Sequence, residues 1–163
     1  MAKKHTIIEF KSPHSTEVRE ICLAYGNRPD ALLEILNDVQ KRLGYVPESE
    51  LPIIANALNI SRAEAYGVAT FYHDFHLKPV GKHVLKICRA EACQSMGSKA
   101  LIESVENFLN LKMGETSKDG LITLEATYCL GLCASAPAVM IDDQPKARMN
   151  FTKAETLLKA LGA

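Results

Sequence analysis

The chain has 163 residues, 47% apolar and 23% charged, enough to bury a core and ordinary for a globular protein. Its 19 Lys and Arg balance 19 Asp and Glu, so no net field attracts nucleic acid or an anionic membrane; with 6% aromatics and no Trp, a base-stacking platform is not expected either. No apolar run reaches the roughly 18 residues of a spanning helix, and residues 1–10 lack the long apolar stretch of a secretory signal, so no membrane insertion and a cytoplasmic setting are expected.

The first half reads as helices. Ser15 is expected to cap a segment with Val18, Ile21, Cys22 and Tyr25 on one face, the i, i+3, i+4, i+7 pattern. Asn27-Arg28-Pro29-Asp30 breaks the chain, and Asp30 is expected to cap a stripe of Leu32, Ile35, Leu36, Val39 and Leu43 that ends at Gly44. Ser49 is expected to cap a third helix, with Pro52 in its first turn and Leu51, Ile54, Ala55 and Leu58 inward. Ser61 with Glu64 forms a capping box for a fourth helix through Ala65, Val68, Ala69 and Tyr72.

Near Lys78-Pro79 the pattern changes, which divides the chain into a helical domain, residues 1–78, and a second domain, residues 79–163. Residues 82–88 are short, bounded and rich in Val, Leu and Ile, as in a strand. A helix follows with Leu101, Ile102, Val105, Phe108 and Leu109 inward. Residues 121–126 alternate, with Ile122, Leu124 and Ala126 against Thr123 and Glu125, as in a half-buried strand. Residues 138–141 read as a third strand, Asp142-Asp143-Gln144-Pro145 as a turn, and residues 147–149 as a short fourth strand. Thr152 with Glu155 is expected to open the last helix, through Leu157, Leu158 and Leu161. The fold class is therefore an α+β or α/β chain, a helical bundle followed by a β-α-β-β-β-α domain. Its strand–helix–strand unit should be parallel with a right-handed crossover. That topology puts the loop after Cys88 and the loop holding Cys129 at one carboxyl edge of the sheet, where open α/β sheets place ligands.

Four of the five cysteines fall in those loops, as Cys88-x4-Cys93 and Cys129-x3-Cys133. Four thiolates from two loops suit a two-iron cluster, each pair holding one iron. Small residues in Cys-Leu-Gly-Leu-Cys-Ala-Ser-Ala-Pro-Ala let backbone N–H groups approach sulfur, and Gly131 supplies the tight turn. A structural zinc site, and with it a colourless interaction module, stays open, although zinc sites usually space their cysteines more closely. Cys22 reads as a small core residue. No catalytic set stands out. His73 and His76 read as an exposed helix end rather than ligands, His5, His14 and His83 have no consistent neighbours, and no glycine loop fits a nucleotide.

Gly67-Val68-Ala69-Thr70-Phe71-Tyr72, Pro79-Val80-Gly81-Lys82-His83, Cys88-Arg89-Ala90-Glu91-Ala92-Cys93 and the stretch from Cys129 to Ala138 occur in this order. This resembles the thioredoxin-like [2Fe–2S] subunit of the NADH-dehydrogenase module, the 24 kDa or E-subunit family of respiratory complex I. Relatives occur in NAD-reducing hydrogenases and NAD-dependent formate dehydrogenases. Cys88 to Gly97, with Tyr128 to Cys133, looks most like the gamma subunit of the formate enzyme. The resemblance implies one [2Fe–2S] cluster on Cys88, Cys93, Cys129 and Cys133 in a thioredoxin-like domain. It also implies a non-catalytic electron-transfer role beside a partner subunit that carries FMN and the NAD site. In the formate assembly, a molybdenum or tungsten catalytic subunit would complete the path. The alternatives it leaves are the E subunit of an NADH-quinone oxidoreductase and a hydrogenase diaphorase subunit.

Overall fold

The computed structural model describes residues 12–163, so the amino-terminal stretch read against a signal, His5 included, lies outside the described residues. The chain divides into two compact units, the first ending at Pro79 and the second beginning at Val80.

Among the described residues, the first unit holds four α-helices: α1 (Ser15–Ala24), α2 (Leu32–Leu43), α3 (Leu51–Leu58) and α4 (Arg62–Phe71). The expected stripes are the buried ones: Val18, Ile21 and Cys22 on α1, and Leu32, Ile35, Leu36 and Val39 on α2. On α3 the apolar surface runs all the way round; Ile53 is as buried as Ile54, because α1 and α4 both pack against this helix. Gly44 ends α2 in the left-handed conformation at φ +82°, which costs glycine nothing. Ser61 caps α4, its hydroxyl accepting from the Glu64 N–H at 3.1 Å. The other caps differ from expectation. Ser15 lies inside α1, whose N-cap is His14. Asp30 and Ser49 fall in short 3-10 turns, Pro29–Ala31 and Glu48–Glu50, that lead into α2 and α3. A proline at or near the start of each turn presets φ and leads to the tighter winding before the helix proper.

The second unit runs β1 (His83–Cys88), α5 (Glu91–Ser95), α6 (Ser98–Leu109), β2 (Ile122–Thr127), β3 (Val139–Ile141), β4 (Gln144–Lys146) and α7 (Phe151–Leu161). The sheet order is β2-β1-β3-β4. β1 and β2 are parallel, with Cys88 opposite Thr127, and β3 runs antiparallel to β1. Leu85, Ile87, Ile122, Leu124, Val139 and Ile141 meet Leu101, Val105, Ala154 and Leu158 in one core. Thr123 was expected on the outer face of its strand, yet it is buried; its hydroxyl accepts the Gly81 N–H at 2.6 Å and meets the Thr116 hydroxyl at 2.8 Å. The β3–β4 turn is only Asp142-Asp143, both at positive φ (+47° and +63°), a conformation these short polar residues tolerate and two-residue hairpins prefer. The fourth strand is therefore Gln144–Lys146 and includes Pro145, not residues 147–149; a proline is admissible there because β4 is an edge strand. The last helix is capped by Asn150, whose side chain accepts from the Lys153 N–H at 3.0 Å, so Thr152 lies within the helix.

Candidate metal centre

The end of β1 fixes the first thiol. Cys88 is 2% exposed. Its N–H donates to Ala138 O at 3.0 Å, the Arg89 N–H donates to Thr127 O at 2.7 Å, and the Ser98 hydroxyl donates to Cys88 O at 2.5 Å. Three elements thus hold one short stretch of backbone. The chain then turns into α5, a helix of five residues whose buried position is Cys93, also 2% exposed. Gln94 locks that turn by donating to Arg89 O at 2.6 Å. No periodic stripe is possible in so short a helix, so its placement was not foreseeable from pattern.

The second pair sits in the loop after β2. Cys129 has φ +145°, a region L-residues rarely occupy. Gly131 at φ +71° returns the chain so that its N–H donates to Cys129 Sγ at 3.4 Å. Cys133 opens a 3-10 turn, Cys133–Ser135. The loop is pinned beyond that point: Arg148 N–H donates to Ser135 O at 2.8 Å and Met149 N–H to Pro137 O at 2.9 Å, around a cis Ala136–Pro137 bond. Cys129 and Cys133 are exposed, with Sγ atoms 3.7 Å apart. Cys88, Cys93 and Ala138 form a small buried cluster lined by Ala90, Leu130, Leu132 and Ala136.

The two pairs face one another electrically. Burial pushes the Cys93 thiol up, and its hydrogen bond with Cys88 and the nearby charges of Cys88 and Cys133 push the same way. Cys133 is raised chiefly by its hydrogen bond with Cys129, and further by the charges of Cys129 and Cys88. Ionised together, four thiolates at this edge would repel one another, and a bound cation would relieve that repulsion. The donor spacing also fits. Two thiolates bound at about 2.3 Å to a tetrahedral metal lie about 3.75 Å apart, and the Cys129–Cys133 separation is 3.7 Å. Among the described residues, no group of three or more His, Cys, Asp and Glu side chains is placed to hold a single ion. The thiols come as two pairs.

The remaining candidates lie elsewhere. Cys22 is buried in the helical unit, and burial pushes its thiol to about 11, as an inert core residue requires. His73 is exposed, while His76 is tied by its backbone to Val46 and Gln40. His83 does have a neighbour that sequence order hid: its Nδ1 lies 2.6 Å from Asp142 Oδ2, and the Val84 N–H donates to Asp142 Oδ1 at 3.0 Å. Asp142 is 59 residues away, at the end of the sheet opposite Cys88. Two further residues beside the thiols lie within the motifs quoted above but carry no role there. Tyr128, next to Cys129, is 70% exposed, and Met96, three residues after Cys93, is 62% exposed.

Comparison with known proteins bears on the family of the chain. The family model for the thioredoxin-like [2Fe–2S] ferredoxins matches residues 18–162. The E subunit of the NADH-quinone oxidoreductase of Pseudomonas aeruginosa is 36% identical over 136 residues, 83% of this chain and 82% of that protein. The E subunit of the same oxidoreductase in Escherichia coli K12 is 40% identical over 125 residues, 77% of this chain and 75% of that protein. Among solved structures, an air-oxidised NAD+-reducing [NiFe]-hydrogenase superposes with a TM-score of 0.70 at 22% identity; it shares the fold over 80% of this chain, which spans 22% of the hydrogenase chain.

Proposed function

Because the chain belongs to the thioredoxin-like [2Fe–2S] ferredoxin family, we propose that it is the electron-transfer subunit of an NADH-dehydrogenase-type complex, with Cys88, Cys93, Cys129 and Cys133 as its cluster ligands. The observation that carries the reading is the pairing of the thiols, one pair buried and one exposed, with the exposed pair at the separation two ligands of one tetrahedral metal require. A zinc module would need the four thiolates around one point, which this pairing does not favour. Held there, a [2Fe–2S] cluster stores and releases single electrons. The chain's own residues supply the rest. The Gly131 N–H points at Cys129 Sγ and lowers the electron density of that thiolate. Ala90, Ala136, Leu130 and Leu132 keep water from the inner pair. Cys88 is immobilised through Ala138, Thr127 and Ser98.

The relatives, E subunits of NADH-quinone oxidoreductases, favour an E-subunit role over the formate dehydrogenase gamma subunit suggested by the motif from Cys88 to Gly97; the flavin- and NAD-binding partner and the cytoplasmic setting belong to the same proposal. The formate reading, with its molybdenum or tungsten subunit, rests on the motif alone. Among the described residues no helix is long and apolar enough to cross a membrane. Phe71 is 73% exposed and stacks edge-on against Tyr72 at 5.1 Å, an aromatic pair suited to anchor the flavoprotein. The test is anaerobic titration with NADH. The purified chain should stay oxidised alone and be reduced once the flavoprotein subunit is added. Rapid bleaching by NADH without a partner would overturn the reading, and copurification with a molybdenum subunit would decide for the formate assembly.

A further inference from the structure

We propose that Cys129 and Cys133 form a reversible disulfide when the chain carries no cluster, made by exchange with a small-molecule disulfide such as oxidised glutathione, while Cys88 and Cys93 remain thiols. The inference rests on the assignment of these four residues as ligands and goes beyond it. Its basis is an asymmetry. Cys88 and Cys93 are each 2% exposed, whereas Cys129 and Cys133 are both open to solvent. A dissolved oxidant therefore meets only the second pair.

Proximity makes the first encounter proceed to closure. The two sulfurs are 3.7 Å apart, and a disulfide needs about 2.05 Å. Side-chain rotation and a small loop shift can close that gap. The backbone between the two cysteines is not crowded at Gly131, where an added Cβ would meet nothing within 4 Å. The exchange balances without further reagents. One thiol loses its proton to solvent and attacks the small disulfide, forming a mixed disulfide and expelling one small thiolate. The second then attacks the protein sulfur of that mixed disulfide, forming the Cys129–Cys133 bond and expelling the other small thiolate, and both thiolates are protonated. Each protein thiol gives up its proton as it attacks, so in sum the protein loses two protons and two electrons, and the small disulfide takes up both to become two thiols. The bond caps two ligands against irreversible oxidation to sulfinic acid, and it bars cluster loading until a thiol reductant reopens it.

The test uses the full chain, stripped of iron anaerobically with a chelator. It is treated with oxidised glutathione, alkylated, and mapped by peptide mass spectrometry. A single disulfide between Cys129 and Cys133 is expected, with Cys22, Cys88 and Cys93 alkylated after denaturation. Iron and sulfide should then fail to restore visible absorbance until dithiothreitol is added, after which loading should return fully. In Cys133→Ser, a glutathione adduct should persist on Cys129. The double variant Cys88→Ser, Cys93→Ser, purified without any cluster, should give the same disulfide. A stable glutathione adduct on Cys129 or Cys133 in the unaltered chain would overturn the proposal, as would any disulfide that includes Cys88, Cys93 or Cys22, including the scrambled pairs of an unfolded apo-chain. If the disulfide forms and loading is unimpaired, the disulfide stands and the ligand assignment falls.

Discussion

Gly81→Ala should damage the second unit through backbone overlap alone. A Cβ added there would lie 2.8 Å from the Ile122 carbonyl carbon and 3.0 Å from the backbone nitrogens of both Ile122 and Thr123. Ordinary contacts between such atoms are about 3.5–4.0 Å, so the overlap is with β2 itself and no flexible side chain can yield. The strands are held together at this point. Gly81 N–H donates to the Thr123 hydroxyl at 2.6 Å, Lys82 N–H to Gly120 O at 2.9 Å and His83 N–H to Leu121 O at 2.9 Å. Relief must stretch one of these bonds. The expected loss is about 2–3 kcal/mol, the upper part of the range for overpacking. With a urea slope of about 2 kcal/mol/M, the midpoint should fall by about 1 M or more. Gly67→Ala is the control of opposite sign. Gly67 lies on an exposed face of α4 with nothing within 4 Å of an added Cβ, and alanine should stabilise that helix by about 0.5–1 kcal/mol. Both are read by urea denaturation followed by circular dichroism on equally loaded samples. If the two units unfold separately, the substitutions should move different transitions. A Gly81→Ala stability within about 0.5 kcal/mol of the parent would refute the steric argument.

Replacing any one of Cys88, Cys93, Cys129 or Cys133 with Ser should strip most visible absorbance and iron from the purified chain, because a hard alkoxide matches iron less well than thiolate, whereas Cys22→Ser should keep both; native spectra in two of the four would defeat the assignment. Asn150→Ala should cost about 1 kcal/mol and Thr152→Ala well under half of that, since only Asn150 accepts the Lys153 N–H; equal losses on thermal unfolding would return the cap to Thr152. Glu50 is wholly buried, takes a hydrogen bond from the Ser12 hydroxyl, and burial raises its carboxyl above the ordinary value against an opposing pull from His14. The folded chain therefore holds this proton more tightly than the unfolded one. Its contribution is fully present below the unfolded pKa and is lost as pH rises through the raised folded value. Glu50→Gln should remove that loss and raise stability at neutral pH, so a parent-minus-variant profile that stays flat across the acidic range would contradict the argument.

Much of this fold is legible because side-chain period and packing agree. The stripes on α1 and α2 could be read from spacing, and so could the Gly44 stop and the Ser61 cap, where local chemistry and burial point the same way. What escaped was decided by contacts distant in sequence. Thr123 looks like an outward residue until Gly81 and Thr116 supply its partners. His83 looks isolated until the β3–β4 turn brings Asp142 alongside. Asn150 and Thr152 are both credible caps, and only the path of the chain after Met149 selects between them. At the candidate site, the spacing of the cysteines suggested two pairs. That one pair would be buried and the other open depends on α5, whose five residues are too few to show a period, and on the loop that leaves β2 at a positive φ.

The short hairpin at the margin of the sheet restricts how other proteins can grip this unit. Ile141 and Gln144 flank the two-residue turn, so theirs is the pair whose backbone groups face inward across the hairpin. Met140 and Pro145, one step further, turn theirs outward, and on β4 that outward position has no N–H to offer. An incoming peptide laid alongside β4 would find a three-residue strand with its middle donor missing. Strand addition, one of the commonest ways to extend a sheet into a partner, is therefore closed on that side. A protein that docks against this flank must recognise side chains and loops, and two copies of the chain cannot polymerise there by zipping sheet to sheet.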